Sequence, residues 1–131
     1  ATQGHFEIVG EVSRQQKIEF LQSLDVFSVP SIYREAKGLY VLEAMACGVP
    51  VVEPRHGSFP ELIESTGGGL LYEPALGPRG LADSLSRLMD HPEERRALGA
   101  SGREVVHTLH TDRVMAQETW KLYERYLAKP A

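Results

Sequence analysis

Hydrophobic positions change their period along this chain, and the change divides it. From residue 6 to residue 72, short apolar runs alternate with helical patterns. Phe6-Glu7-Ile8-Val9 reads as a strand closed by Gly10. Ser13-Arg14-Gln15-Gln16 has capping-box order, and Ile18, Leu21 and Leu24 follow at helical spacing, which predicts a helix over 14–23. Asp25 opens a second strand over 26–29, stopped by Pro30-Ser31. From Leu39 to Cys47 every position is apolar or small except Tyr40 and Glu43. That predicts a short helix buried nearly all round, with Glu43 inside it. Gly48 ends the helix and Pro50 bars its continuation. Val51-Val52 reads as a third strand. Ser58-Phe59-Pro60-Glu61 repeats the capping-box order and opens a helix through Ser65, with Glu61 as the return half of the box. Gly67-Gly68-Gly69 turns into a fourth strand over 70–72, ended by Pro74.

After Pro74 the period is helical only. Leu81, Leu85 and Leu88 make one face, Pro92 suits a first helical turn, and Leu98, Val105 and Val106 run down the next helix. A last helix over 112–127 carries Val114, Trp120, Tyr123 and Leu127, with Trp120 and Tyr123 expected in the core. The whole predicts an α/β fold: a partial Rossmann-like domain with a parallel sheet of about four strands and flanking helices, followed by a helical C-terminal tail. Residues 1–131 form one domain, of which 77–131 are the tail. Ligands belong at the carboxyl ends of such strands.

Composition narrows the function. A length of 131 residues suffices for one real core. The net charge of −4 argues against binding a phosphate backbone without sequence preference. A single cysteine excludes an internal disulfide, and Cys47 among small residues reads as packing. No run is long and apolar enough to span a membrane. Ala1 to His5 reads as a junction rather than a signal peptide, and a cytoplasmic location is expected.

The candidate chemistry lies at the apolar helix. A carboxylate inside it is costly unless paired. Glu35 precedes Glu43 by eight residues, in a polar lead-in that reads as a loop. Gly38 lets the backbone approach a ligand closely, and the helix start offers unpaired N–H groups and positive potential, which suit phosphate. Glu43 lies about 7 Å further along the axis, a reach that suits a sugar hydroxyl attached to that phosphate. The stretch reads as a nucleotide-sugar site.

Glu35-x7-Glu43 followed by Ala44-Met45-Ala46-Cys47-Gly48-Val49-Pro50-Val51-Val52 resembles the donor-site motif of retaining glycosyltransferases of the GT-B fold, family 4. The order of Phe6-Glu7-Ile8-Val9-Gly10, Asp25-Val26-Phe27-Ser28-Val29-Pro30-Ser31, Glu61-Leu62-Ile63 and Gly69-Leu70-Leu71 extends the resemblance from about Phe6 to Leu127. It implies the C-terminal, donor-binding half of such an enzyme. By resemblance, Glu43 accepts hydrogen bonds from the ribose hydroxyls. Glu35 sits beside the donor sugar as the catalytic-site carboxylate, stabilising charge at the anomeric carbon. Lys37, Gly38 and Leu39 present backbone N–H groups to sugar and diphosphate, with Tyr40 in the same stretch. Gly10 and Val12 pack the nucleobase, and His56 and Gly57 line the sugar pocket. A short turn explains Gly10 and Val12 equally well, and a solvated loop accommodates His56. Lys37 stands where the family pattern has an aromatic, and either reaches a phosphate or points to solvent.

The resemblance further implies two central strands and an acceptor-binding domain before Phe6, with an Arg and a Lys there that neutralise the donor pyrophosphate. It implies no cofactor and no metal. His107 and His110 share a helix face but have no third ligand nearby. The expected partners are the nucleotide-sugar donor and an acceptor held by that other domain, with no nucleic acid. The full enzyme is expected at the inner membrane surface in some relatives, and the exposed sheet edge here is expected to favour self-association. A non-catalytic Rossmann-like module, or a sugar-nucleotide epimerase or phosphorylase relative, is the competing reading.

Overall fold

A computed structural model of the chain describes residues 4–128, so Ala1, Thr2 and Gln3 of the expected junction, and the last three residues of the tail, lie outside the described residues. The elements run α1 (Arg14–Gln22), α2 (Leu39–Ala46), β1 (Val51–Pro54), α3 (Phe59–Thr66), β2 (Gly69–Tyr72), a 3-10 turn (Pro74–Leu76), α4 (Gly77–Asp90), α5 (Pro92–Leu109) and α6 (Asp112–Leu127). The α1 start follows its capping box: Ser13 Oγ accepts from the Gln16 amide at 3.3 Å, and Gln16 Oε1 accepts from the Ser13 amide at 2.9 Å. At the other capping-box sequence the box does not form. Ser58 has helical rather than extended dihedrals, so its side chain makes no cap bond, and its amide, the donor for the return half of a box, goes to the Glu35 carbonyl at 2.8 Å. Glu61 is exposed and has no return role.

The sheet is smaller than predicted. β1 and β2 pair in parallel with Val51 opposite Gly69 and Pro54 opposite Tyr72. The predicted strand over 26–29 contributes one parallel bridge, Phe27 to Val51. The predicted strand over 6–9 is absent: Phe6 and Ile8 are 87% and 84% exposed. A strand is stable only beside a partner, and no described segment offers residues 6–9 a ladder.

β1 is buried on both faces, which is why its apolar run does not alternate. Val51 looks into a core shared with Val41, Ala44, Met45, Phe59, Ile63 and Val106 from α2, α3 and α5. Val52 looks the other way, onto Tyr72, Leu88 and the half-buried Leu81 and Leu85 of α4. The result is a layer of helices on each side of the strands.

Two glycines let α5 settle on this frame. A Cβ on Gly99 would lie 2.3 Å from the Gly48 carbonyl oxygen, and one on Gly102 would lie 3.0 Å from Gly68 Cα. Gly48 is itself in the left-handed region (φ 79°), the turn that ends α2. α6 forms from local signals, with Thr111 Oγ1 accepting from the Val114 amide at 3.2 Å and Lys121 paired with Glu118. It buries none of its residues, so Trp120 and Tyr123, expected in the core, are 61% and 57% exposed. Their spacing marks an apolar side, but no described element covers it.

Because the obstacle at Gly99 is backbone, it cannot move aside as a side chain would. Gly99→Ala is expected to lower unfolding stability by about 1–3 kcal/mol, read as a lower urea midpoint.

Candidate functional site

The polar lead-in to α2 folds back on itself. Glu35 Oε1 accepts from the Lys37 amide at 3.1 Å and Oε2 accepts from the Tyr40 hydroxyl at 3.0 Å. The Lys37 amide, then the Tyr40 hydroxyl and the Gly38 amide, hold the Glu35 carboxyl below the usual carboxylate range. Burial, then the hydrogen bond and charge of Glu35, push the Tyr40 phenol up to about 12. Tyr40 therefore stays a donor and Glu35 stays ionised. Gly38 takes φ 68° as the N-cap and is buried, with Leu62 Cδ1 3.1 Å from where a Cβ would stand. Having no side chain, Gly38 leaves the first-turn amides of Leu39 and Tyr40 uncapped.

Glu43 is not inside the core. Its side chain is 46% exposed, and Oε1 accepts from Lys17 Nζ of α1 at 2.7 Å. α2 buries Val41, Ala44 and Met45 on one side only, and Glu43 falls on the other. The apolar run misleads because Leu39 is exposed and Tyr40, Leu42 and Ala46 are only part-buried. The partner is a surface lysine, not a core arginine.

Around this ion pair the structure gathers several of the sequence-predicted residues. A hollow of about 370 Å³ is lined by Glu7, Val9, Gly10, Val12, Lys17, Phe20, Phe27, Tyr40 and Glu43, among others. Gly10, Val12, Tyr40 and Glu43 thus face one space. Its walls are mostly apolar, with two carboxylates, Glu7 and Glu43, and one ammonium, Lys17.

The remaining predicted residues sit elsewhere or serve the loop. Lys37 is exposed, and its amide is engaged by Glu35. His56 Nε2 donates to the Ser31 carbonyl at 2.9 Å, and the ring packs on Phe59 at 5.9 Å, leaving Nδ1 buried without a partner. His56 lines a second hollow with Pro30, Ser31, Ile32 and Tyr72, apart from the one that Glu43 faces. Gly57 (φ 58°) presses on the loop, since its Cβ would lie 2.6 Å from both the amide nitrogen and carbonyl oxygen of Glu35.

With this geometry in place, the relatives of the chain decide its class. Residues 2–105 match the family of glycosyl transferases group 1. The chain belongs to that family. It is 32% identical over 120 residues to an MMP alpha-(1->4)-mannosyltransferase of Mycolicibacterium hassiacum, covering 92% of this chain and 29% of that protein. It is likewise 32% identical over 117 residues to a GDP-mannose-dependent monoacylated alpha-(1-6)-phosphatidylinositol monomannoside mannosyltransferase of Corynebacterium glutamicum, covering 85% of this chain and 30% of the relative. Sucrose-phosphate synthase from Thermosynechococcus elongatus superposes with a TM-score of 0.80 at 32% identity, covering 92% of this chain and 30% of that structure. The α/β arrangement is that of a GT-B glycosyltransferase domain. The group 1 chain spans about 30% of the length of these relatives.

Two residues of this group 1 domain lie outside the set that the sequence predicts. Lys17 carried no motif, and only the fold brings it to Glu43. Glu53 was missed because the predicted strand stopped at Val52, whereas β1 runs on to Pro54. Glu53 is 0% exposed, and its Oε1 and Oε2 lie 3.1 and 3.3 Å from the Val29 amide. A carboxylate between a valine and a proline at a strand end was the available signal. Burial pushes the Glu53 carboxyl from the ordinary 4.5 to about 8, against a smaller opposing pull from the Val29 amide.

That shift has a sign. The folded chain holds the proton on Glu53 where the unfolded chain has lost it, so this stabilisation is full below about pH 4.5 and gone above about pH 8. Stability is expected to fall as pH rises through that window, by at most about 1.4 kcal/mol per unit. Glu53→Gln removes the slope. Urea unfolding at stepped pH, on both chains, measures it.

Proposed function

We propose that this chain is the donor-binding part of a retaining glycosyltransferase that takes a sugar from a nucleotide-diphosphate sugar. The observation that carries the reading is the shared hollow of Gly10, Val12, Tyr40 and Glu43, beside an α2 start whose first amides are uncapped. The apolar walls suit a nucleobase. The free Oε2 of Glu43 suits a ribose hydroxyl, Oε1 being held by Lys17. The Leu39 and Tyr40 amides suit the diphosphate. A relative whose name states that it depends on GDP-mannose supports the donor class.

In the proposed reaction the bond from the anomeric carbon to the leaving phosphate oxygen breaks. The acceptor oxygen bonds to that carbon on the same face, and its proton passes to the leaving phosphate. Glu35, ionised and fixed by its own loop, contributes negative charge beside the positive charge that develops at the sugar. No metal and no cofactor enter the proposal. The acceptor, and basic groups for the pyrophosphate, belong to the remaining length of a GT-B enzyme.

A second reading, an interaction module, draws on the uncovered aromatic side of α6. Saturation-transfer NMR separates the two. With UDP, GDP and ADP and their glucose and mannose forms, transfer to the ribose protons of one nucleotide is expected, and its loss in Glu43→Gln. Silence from this chain and also from a chain carrying the rest of the GT-B length would remove the donor-binding reading.

A further inference from the structure

We propose that Glu53 is a positioning residue for the loop that carries Glu35, acting by taking the backbone amide that the sheet gives up where the chain turns into that loop. The register on β1 carries the argument. Phe27 sits in a regular parallel ladder: its amide donates to the Pro50 carbonyl at 2.9 Å, and its carbonyl accepts from the Val52 amide at 2.9 Å. Continued by two residues, that ladder pairs the Val29 amide with the Val52 carbonyl, and an amide at position 54 with the Val29 carbonyl. Neither bond forms. Pro54 has no N–H to give. Ser28 Oγ donates to the Val52 carbonyl at 2.6 Å instead. The Val29 amide is left without its strand partner at a part-buried position, and the Glu53 carboxyl catches it.

One side chain thus sets where the strand stops. Pro30 follows at once, and the segment to Glu35 is then fixed by two further contacts from the turn between β1 and α3. His56 Nε2 donates to the Ser31 carbonyl, and the Ser58 amide donates to the Glu35 carbonyl. Glu53, His56 and Ser58 are near neighbours in sequence, so a change at Glu53 acts on the same short strut. Among the described residues no ion pair reaches Glu53. The titratable groups that face it are Tyr40 from α2 and Tyr72 from β2. On its own segment, Arg55 is engaged by Glu64 and Glu73, and His56 by Ser31. The carboxyl therefore gains or loses its proton with no cation beside it, and the Val29 amide is the group that senses the change. The effect on Glu35 belongs to the fold. Its effect on donor binding rests on the function proposed above.

The test is amide NMR on this chain, on Glu53→Gln and on Glu53→Leu, between pH 5.5 and 9. In the unaltered chain the Val29, Ser58 and Lys37 amides are expected to shift together with one midpoint near that of Glu53, about 8. Glu53→Gln keeps a carbonyl for Val29 and is expected to abolish the common midpoint while leaving all three amides protected. It also retains His56, so a response of that ring would persist in it and be told apart. Glu53→Leu is expected to speed hydrogen exchange at Val29 and Lys37 by about tenfold, with Val106 of α5 unchanged. A Val29 response that Ser58 and Lys37 do not share, in the unaltered chain, overturns the proposal even if Glu53→Leu fails to fold. In a second arm, titration with GDP-mannose is expected to show about tenfold weaker binding to Glu53→Leu and near-unaltered binding to Glu53→Gln. No binding to any of the three chains would count against the donor reading alone, and the amide shifts would still decide the role of Glu53.

Discussion

A strand buried on both faces can direct its backbone only sideways, and β1 is such a strand. Its four residues separate the α2, α3 and α5 layer from α4, and it is bonded to β2 on one edge and to Phe27 on the other. Each interruption of that backbone pairing fixes something outside it. Gly69 approaches Val51 so closely that a Cβ would stand 2.2 Å from its carbonyl oxygen, which sets the β2 register. Pro54 withdraws a donor, and the loop to Glu35 begins at the level where the donor is missing. The position of the candidate site follows from where pairing stops.

The site itself is held by backbone more than by side chains. Glu35 is turned inward onto the amides that follow it, and the segment after β1 supports it from behind through Gly57 and the Ser58 amide. Glu43 is different in kind. It projects from a helix face and is steadied by Lys17 across the gap between α1 and α2. A pair with both members nearly half exposed contributes little to stability, so orientation is its main effect.

What the sequence reveals depends on whether the deciding interaction is local. The Ser13 box, the Gly48 turn and the α6 bounds are legible because caps and glycines act within a few residues. Ser58-x-x-Glu61 carries the same letters as a box, yet a long-range bond to Glu35 overrides it. The run over 6–9 has strand composition, but strand formation depends on a neighbour that composition does not supply. The two glutamates stand out as candidates from their spacing and the family resemblance. The environment of Glu43 is not legible there, because an apolar run does not say which side meets solvent. Glu53 and Lys17 were invisible for the converse reason: each acquires meaning only from a residue more than twenty positions away.

α6 stands apart from this network in a way that bears on cooperativity. A helix of 16 residues is near the length at which isolated helices are marginal in water, and this one draws on a threonine cap and a few surface pairs rather than on a packed face. Its coil transition is therefore expected to couple only weakly to the loss of the two cores. Helical ellipticity is then expected to sum a gradual event and an abrupt one, which a single melting temperature would not describe.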